Sequence, residues 1–234
     1  MIYDAIVVGG GASGLTAAAF LADAGHSTLL LEKQPVCGGL VNSFTRDGFT
    51  FDGGLRALDN AGVLFPMLKL LGIEIEFIKN RISVGIEDQI IQIASDQNIK
   101  DYEDLLIKLY PESSDEISLI ITDIKQIMRY MDIQYGINNP LFLDIKKDRD
   151  YFIRKVLPWV CKYALNVHKI NKKNQPVVPY LSNFTKNQSL IDIISQHFFT
   201  DTPAYFALSY LTLYQDYYYP KSGTGAFSKK LTDF

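Results

Sequence analysis

Cysteine and histidine are scarce in this chain, with two and three among 234 residues. Cys37 and Cys161 have no Cys-x-x-Cys spacing and no histidine cluster beside them, so no metal site is expected. Two cysteines in a chain of this size do not make a disulfide scaffold, and a reducing cytoplasm suits them. A basic excess is missing too. The formal net charge is −3, which removes the electrostatic footprint expected of a nucleic-acid-binding protein. No secretory leader is legible, because Met-Ile-Tyr-Asp puts an acid where a positive segment belongs. No internal repeat or low-complexity segment stands out. His26, His168 and His197 are scattered and read as surface or capping residues. No Ser-His-Asp arrangement or paired carboxylate is evident, so no catalytic side chain is assigned.

What is present is the composition of an ordinary globular protein, 47% hydrophobic and 21% charged. Ala5 to Ala22 is uncharged and long enough to suggest a membrane span. Its glycines at 9, 10, 11 and 14, with Ser13 and Thr16, argue instead for a strand, a turn and a helix. The pattern predicts a strand over Tyr3 to Val8, a helix over Ser13 to Ala24 capped by Gly25, and a second strand over Ser27 to Glu32.

Beyond this βαβ unit, Cys37 to Asp59 reads as loop-rich. Val63 to Leu71 reads as a helix closed by Gly72, and Ile73 to Ile78 as a strand. Ile82 to Ile93 reads as a hairpin turning at Glu87-Asp88. Helices are expected over Asp101–Tyr110, Ser113–Met131 with Ser114 as cap, Phe152–Val167 interrupted by Pro158, Gln188–Phe199 and Thr202–Gln215. A further helix starts at Ala226. The aromatic group from Tyr205 to Tyr219 reads as helix core. Pro203 to Leu213 is apolar enough for peripheral contact with a membrane.

Gly9, Gly11 and Gly14 fit G-x-G-x-x-G between a strand and a helix. Gly9 makes the turn, Gly11 lets a pyrophosphate approach the backbone, and Gly14 lets the helix pack on the strand. The helix start at Ala12 and Ser13 offers free N–H groups and a positive dipole end. Glu32 ends the second strand, where a carboxylate accepts ribose hydroxyls. The unit therefore predicts a dinucleotide. The pair Gly38-Gly39 just after the acid suits an extended cofactor folding back over the chain, as FAD does, and NAD remains the alternative.

Several pieces together resemble the N-terminus of the phytoene desaturase family, which includes carotenoid isomerases and retinol saturases within the amine-oxidase-like flavoenzymes. They are Val8-Gly9-Gly10-Gly11-Ala12-Ser13-Gly14-Leu15, Leu31-Glu32-Lys33, Gly38-Gly39 and Gly48-Phe49-Thr50-Phe51-Asp52-Gly53-Gly54. Tyr219-Pro220-Lys221-Ser222-Gly223-Thr224-Gly225 is similar to the segment that returns the family's chain to its nucleotide domain. Leu55-Arg56 and Ser222-Gly223 depart from the family pattern.

The resemblance implies an α/β fold, a Rossmann-like FAD-binding domain interrupted by a largely helical substrate domain with a β-hairpin. Residues 1–60 would begin the FAD domain, 61–216 would form the inserted domain, and 217–234 would return. FAD is the implied cofactor. Gly9, Gly11, Ala12, Ser13 and Gly14 would hold its pyrophosphate and Glu32 its ribose. Lys33 would lie beside the adenosine, Gly39 and Leu40 would line the cofactor, and Asp52 and Gly54 would lie near the flavin. The implied reaction is oxidoreduction at C–C bonds of an apolar or polyene substrate. The alternatives are a flavin-dependent isomerisation without net redox, and a non-catalytic remnant. Members of the family run well beyond this length, so an N-terminal fragment is expected.

Overall fold

The computed structural model describes residues 2–93, 95 and 98–234. In chain order the first elements are β1 (Ala5–Val8), α1 (Ala12–Asp23), β2 (Thr28–Leu31), β3 (Ser43–Arg46), β4 (Phe49–Asp52), β5 (Leu58–Asp59), α2 (Leu64–Leu70) and β6 (Phe77–Lys79). Next come β7 (Ile82–Ile86), β8 (Gln89–Ile93), α3 (Asn98–Leu109), α4 (Ser114–Tyr135), α5 (Arg149–Tyr151), α6 (Leu157–Asn171), α7 (Val177–Leu181) and α8 (Gln188–Ser195). The last are α9 (Ala204–Ala207), α10 (Tyr210–Gln215), β9 (Tyr217–Pro220) and α11 (Gly225–Asp233). These elements form two compact units. The first runs to Asn80 and resumes over Tyr217–Phe234, and the second is Arg81–Asp216. Among the described residues no helix is long and apolar enough to cross a membrane.

In the first unit β1 and β2 pair in parallel, Ala5 against Thr28 and Val8 against Leu31. Short β-branched strands joined by a helix pair this way because the crossover needs the helix. Leu15 and Ala19, one turn apart, bury the inner face of α1. The helix stops in a Schellman closure, with Gly25 N–H donating to Ala22 and His26 N–H to Leu21 at 2.9 and 3.0 Å. Helix α2 ends the same way, with Gly72 N–H on Lys69 and Ile73 N–H on Leu68. The other face of β1 is open, with Ile6 61% and Val8 80% exposed.

The expected loop over 37–59 holds more order than its glycines suggest. β3 and β4 form an antiparallel hairpin, Ser43 against Asp52 and Arg46 against Phe49. Its two-residue turn is Asp47-Gly48, with φ of 51° and 81°. Both residues are left-handed, the demand of a type I′ turn and the reason Asp-Gly serves there. The expected strand over Ile73–Ile78 shrinks to Phe77–Lys79, the part with a hydrogen-bonding partner. That partner is β9, which lies between β5 and β6 in a three-stranded antiparallel sheet. Phe65 of α2 packs over this sheet, its ring 4.8 Å from Tyr218 and 5.3 Å from Phe77. For that reason the first unit extends to Asn80, where the sequence pattern places the boundary at 60.

The second unit is mostly helical around one core. Ile117, Ile120, Ile121, Ile124, Ile127, Met128 and Met131 line one stripe of α4, all buried. This is the 3.6-residue spacing seen in the sequence. Helices α3, α6 and α10 pack on α4. The β7–β8 hairpin adds Val84, Ile86 and Ile93 to the core.

Some boundaries differ from those expected. Ser113, not Ser114, precedes α4, and neither side chain caps it. Pro158 does not break its helix. It sits in the first turn of α6, where no intrahelical N–H is needed, after a π-helical turn over Phe152–Val156. The helix expected over 202–215 divides into α9 and α10. The one expected over 188–199 ends at Ser195.

Candidate functional site

The turn from β1 into α1 is held at both ends. Gly9 N–H donates to the Leu31 carbonyl at 2.7 Å, and the Gly11 carbonyl accepts Leu15 N–H at 2.9 Å. A Cβ on Gly14 would stand 1.9 Å from the Gly9 carbonyl oxygen, so only glycine lets the helix start this close to the strand. Beside Gly11 a Cβ would meet no atom within 4 Å, and the backbone there faces open space. No side chain caps α1 and its first turn carries no acid. The amides of Ala12, Ser13 and Gly14 have no intrahelical acceptor, as at any helix start, and they form the positive end of the helix dipole. An open recess of about 540 Å³ runs along this turn, lined by Ala12, Ser13, Thr16, Asn60, Leu64 and Phe227.

Glu32 follows β2 directly and turns back to the glycine turn. Its Oε2 accepts Gly10 N–H at 2.6 Å and its Oε1 accepts Gln34 N–H at 2.8 Å. These amide donors, Gln34 first and Gly10 second, hold the carboxyl below its ordinary value. Each oxygen keeps a further lone pair for a hydroxyl donor. Lys33 beside it is exposed. Cys37 packs over the turn, and a Cβ on Gly10 would meet its Sγ at 2.7 Å.

The second glycine pair closes on the first. Gly38 N–H donates to the Gly10 carbonyl at 2.6 Å, and Gly11 and Gly38 form a parallel bridge. A Cβ on Gly39 would stand 3.3 Å from the Gly11 Cα. Leu40 follows with its side chain 75% exposed. Its carbonyl accepts Leu55 N–H at 2.9 Å, and the Cα of Gly54 lies so close behind it that a Cβ there would be 2.9 Å from that oxygen. Gly9, Gly11, Ala12, Ser13, Gly14, Glu32 and Gly39 thus gather around one turn, with Leu40 and Gly54 adjoining it.

Asp52 sits at the end of β4 as an acceptor for distant segments. Its Oδ1 takes Thr224 N–H at 3.0 Å, the Thr224 hydroxyl at 2.9 Å and the Ser43 hydroxyl at 3.2 Å. Its Oδ2 takes the Tyr219 hydroxyl at 2.8 Å. Burial pushes this carboxyl up, but the donors from Thr224, Tyr219 and Ser43 together outweigh it and hold it below its ordinary value. Ser43, Tyr219, Thr224 and Ser228 are participants that sequence reasoning does not single out. The resemblance of 219–225 to a return segment was the available signal, but nothing in it names Asp52 as the acceptor.

In the second unit His197 departs from its expected surface role. It stacks on Tyr210 with ring centroids 4.0 Å apart and its Nδ1 lies 2.9 Å from the Tyr214 hydroxyl. Burial alone lowers its pKa. Tyr210 and its neighbour Tyr102 are fully buried, and burial pushes the Tyr102 hydroxyl up to about 12. Among the described residues no group of three His, Cys, Asp or Glu is placed to hold a metal ion.

Residues 7–71 match the family of NAD(P)-binding Rossmann-like domains. The chloroplastic prolycopene isomerase of Daucus carota is 40% identical over 82 residues, which are 32% of this chain and 13% of that protein. The 4,4'-diapophytoene desaturase (4,4'-diaponeurosporene-forming) of Staphylococcus haemolyticus is 25% identical over 198 residues, covering 76% of this chain and 34% of that protein. Among solved structures, an oxidoreductase from Methanosarcina mazei superposes with a TM-score of 0.59 at 16% identity, over 98% of this chain and 48% of that one. The chain carries a Rossmann-like dinucleotide-binding domain, and its relatives include carotenoid desaturases and isomerases. It spans about half the length of that solved structure and matches a smaller share of the two relatives.

Proposed function

We propose that this chain is the dinucleotide-binding part of an FAD-dependent oxidoreductase acting on C–C bonds of an apolar, polyene-type substrate. The observation that carries the reading is the closure of Gly38-Gly39 on Gly10-Gly11, with open space beside Gly11 and Glu32 at its flank. A glycine pair that doubles back over the first turn suits a long, folded dinucleotide. The desaturase and isomerase relatives point to the substrate class.

The residues fit FAD. The amides of Ala12 and Ser13, at the uncapped start of α1, would take the pyrophosphate beside Gly9, Gly11 and Gly14. Glu32 would accept the ribose hydroxyls and Lys33 would lie along the adenosine. Gly39 and Leu40 would line the bound dinucleotide, with Gly54 behind Leu40. Bound flavin supplies hydride transfer to or from a substrate C–C bond. The protein's part is to orient the dinucleotide and exclude water from the reacting bond. Pro203 to Leu213, expected from its apolar sequence to touch a membrane, is instead packed into the core of the second unit, with Ala204, Ala207, Leu208, Tyr210 and Leu211 buried, and offers no surface for that contact.

The test is the visible spectrum of the purified protein before and after adding FAD. Bound-flavin bands support the reading, and failure to take up FAD sinks it. A second reading, isomerisation with no net redox, is favoured by the prolycopene isomerase relative. Turnover without consumption of an electron acceptor would select it.

A further inference from the structure

We propose that Asp52 and Ser228 are positioning residues for the dinucleotide, setting the Gly38 loop against the phosphate turn without touching the ligand. The inference rests on the reading that the first unit binds FAD, and it gives Asp52 a different part from contact with the flavin.

The connection runs through residues already in place. Asp52 Oδ1 holds both the N–H and the hydroxyl of Thr224, whose side chain is fully buried just before α11. The same hydroxyl lies 3.1 Å from the Asn42 carbonyl, and the next amide, Gly225 N–H, donates to the Ser43 hydroxyl at 3.0 Å. Asp52 and Ser43 therefore fix where α11 begins. One turn along that helix Ser228, only 2% exposed, donates its hydroxyl to the Val41 carbonyl. Its Oγ also lies beneath Gly38, where a Cβ would meet it at 2.9 Å. Gly38 in turn donates to Gly10, next to the open face of Gly11. Apart from the close packing of Ser228 under Gly38, each step is a buried or half-buried polar contact, between segments up to 187 residues apart in sequence. Such a path fixes the separation of the two glycine pairs.

A purely stabilising clasp predicts something different. It would lower the melting temperature of a variant but leave the affinity of the folded molecules alone. The positioning role predicts that affinity falls among molecules that are folded.

The experiment is a flavin-fluorescence titration with FAD, at a temperature where far-UV circular dichroism shows each protein folded. Asp52→Asn and Ser228→Ala are each expected to weaken FAD binding about tenfold or more. Because both act through one loop, the double variant is expected within about twofold of the weaker single one. Glu76→Gln, which removes only an exposed ion pair with Lys221 in the same unit, is expected within about twofold of the wild type. Wild-type affinity in folded Asp52→Asn and Ser228→Ala overturns the proposal, and so do simply additive losses. If Asp52→Asn does not fold, Thr224→Val and Ser228→Ala carry the test with the same threshold. Wild-type binding with unaffected variants removes this inference alone. A wild type that does not take up FAD removes both this inference and the functional reading beneath it.

Discussion

Gly38 donates its backbone N–H to the carbonyl oxygen of Gly10 at 2.6 Å, across 28 residues that include all of α1 and β2. That bond brings the two glycine motifs into one structure. A glycine turn alone makes half a cradle for a dinucleotide. The second pair is held against it, with open space left beside Gly11.

The spacing of Gly14 gives the first prediction. Its missing Cβ would lie 1.9 Å from the Gly9 carbonyl oxygen, and backbone cannot yield as a flexible side chain can. Gly14→Ala is expected to push α1 off β1 at a cost of about 1–3 kcal/mol. Urea unfolding followed by circular dichroism measures it, and FAD affinity should fall in the same variant.

Glu32 gives the second. Its carboxylate serves Gly10 N–H, Gln34 N–H and, in the proposed complex, the ribose hydroxyls. Glu32→Ala is expected to weaken ADP and FAD binding by about tenfold to a hundredfold, the range for losing hydrogen bonds to a charged group. Isothermal titration at pH 7 reads the change.

His197 gives a pH prediction. Burial lowers its pKa from 6.5 in the folded state, while the unfolded chain keeps the ordinary value. Between those two values the unfolded state binds more protons, so stability rises with pH there. Above 6.5 both states are neutral and the residue adds no pH dependence. As pH falls below 6.5 the second unit loses stability until the folded state also takes up the proton. Thermal melts between about pH 7.5 and 5 should show this loss in the wild type and a flatter profile in His197→Gln.

A fourth prediction concerns Asp123 in the second unit. It accepts both the Lys173 ammonium and the Tyr180 hydroxyl, with the Lys173 and Asp123 side chains each only 14% exposed. Removing the carboxylate leaves a half-buried cation without its counter-charge. Asp123→Ala is expected to cost about 3 kcal/mol, measured by denaturant unfolding, because the uncompensated charge costs more than the pair contributes.

The βαβ unit and the α4 stripe were legible in the sequence because both rest on local rules. Gly25 and Gly72 close their helices where a left-handed residue is needed, and Ile117 to Met128 repeat at the helical period. The β3–β4 hairpin was read as loop, because the many glycines around it outweighed the Asp47-Gly48 turn signal. The β5–β9–β6 sheet was not. Its pairings join Leu58 to Tyr218 and Phe77 to Pro220, and no local pattern specifies partners so distant. The same limit hid the work of Asp52, whose donors arrive from 167 and 172 residues away. His197 looked isolated because its partners, Tyr210 and Tyr214, come from a helix that the sequence pattern merges with its neighbour.

In the proposed function the first unit holds a dinucleotide between its two glycine pairs. Titrating the protein with FAD, then adding ADP as competitor, tests it most directly. Saturable uptake at a single site, displaced by ADP and weakened in Glu32→Ala, is the predicted result. No uptake of FAD, or uptake that ADP cannot displace, would contradict it.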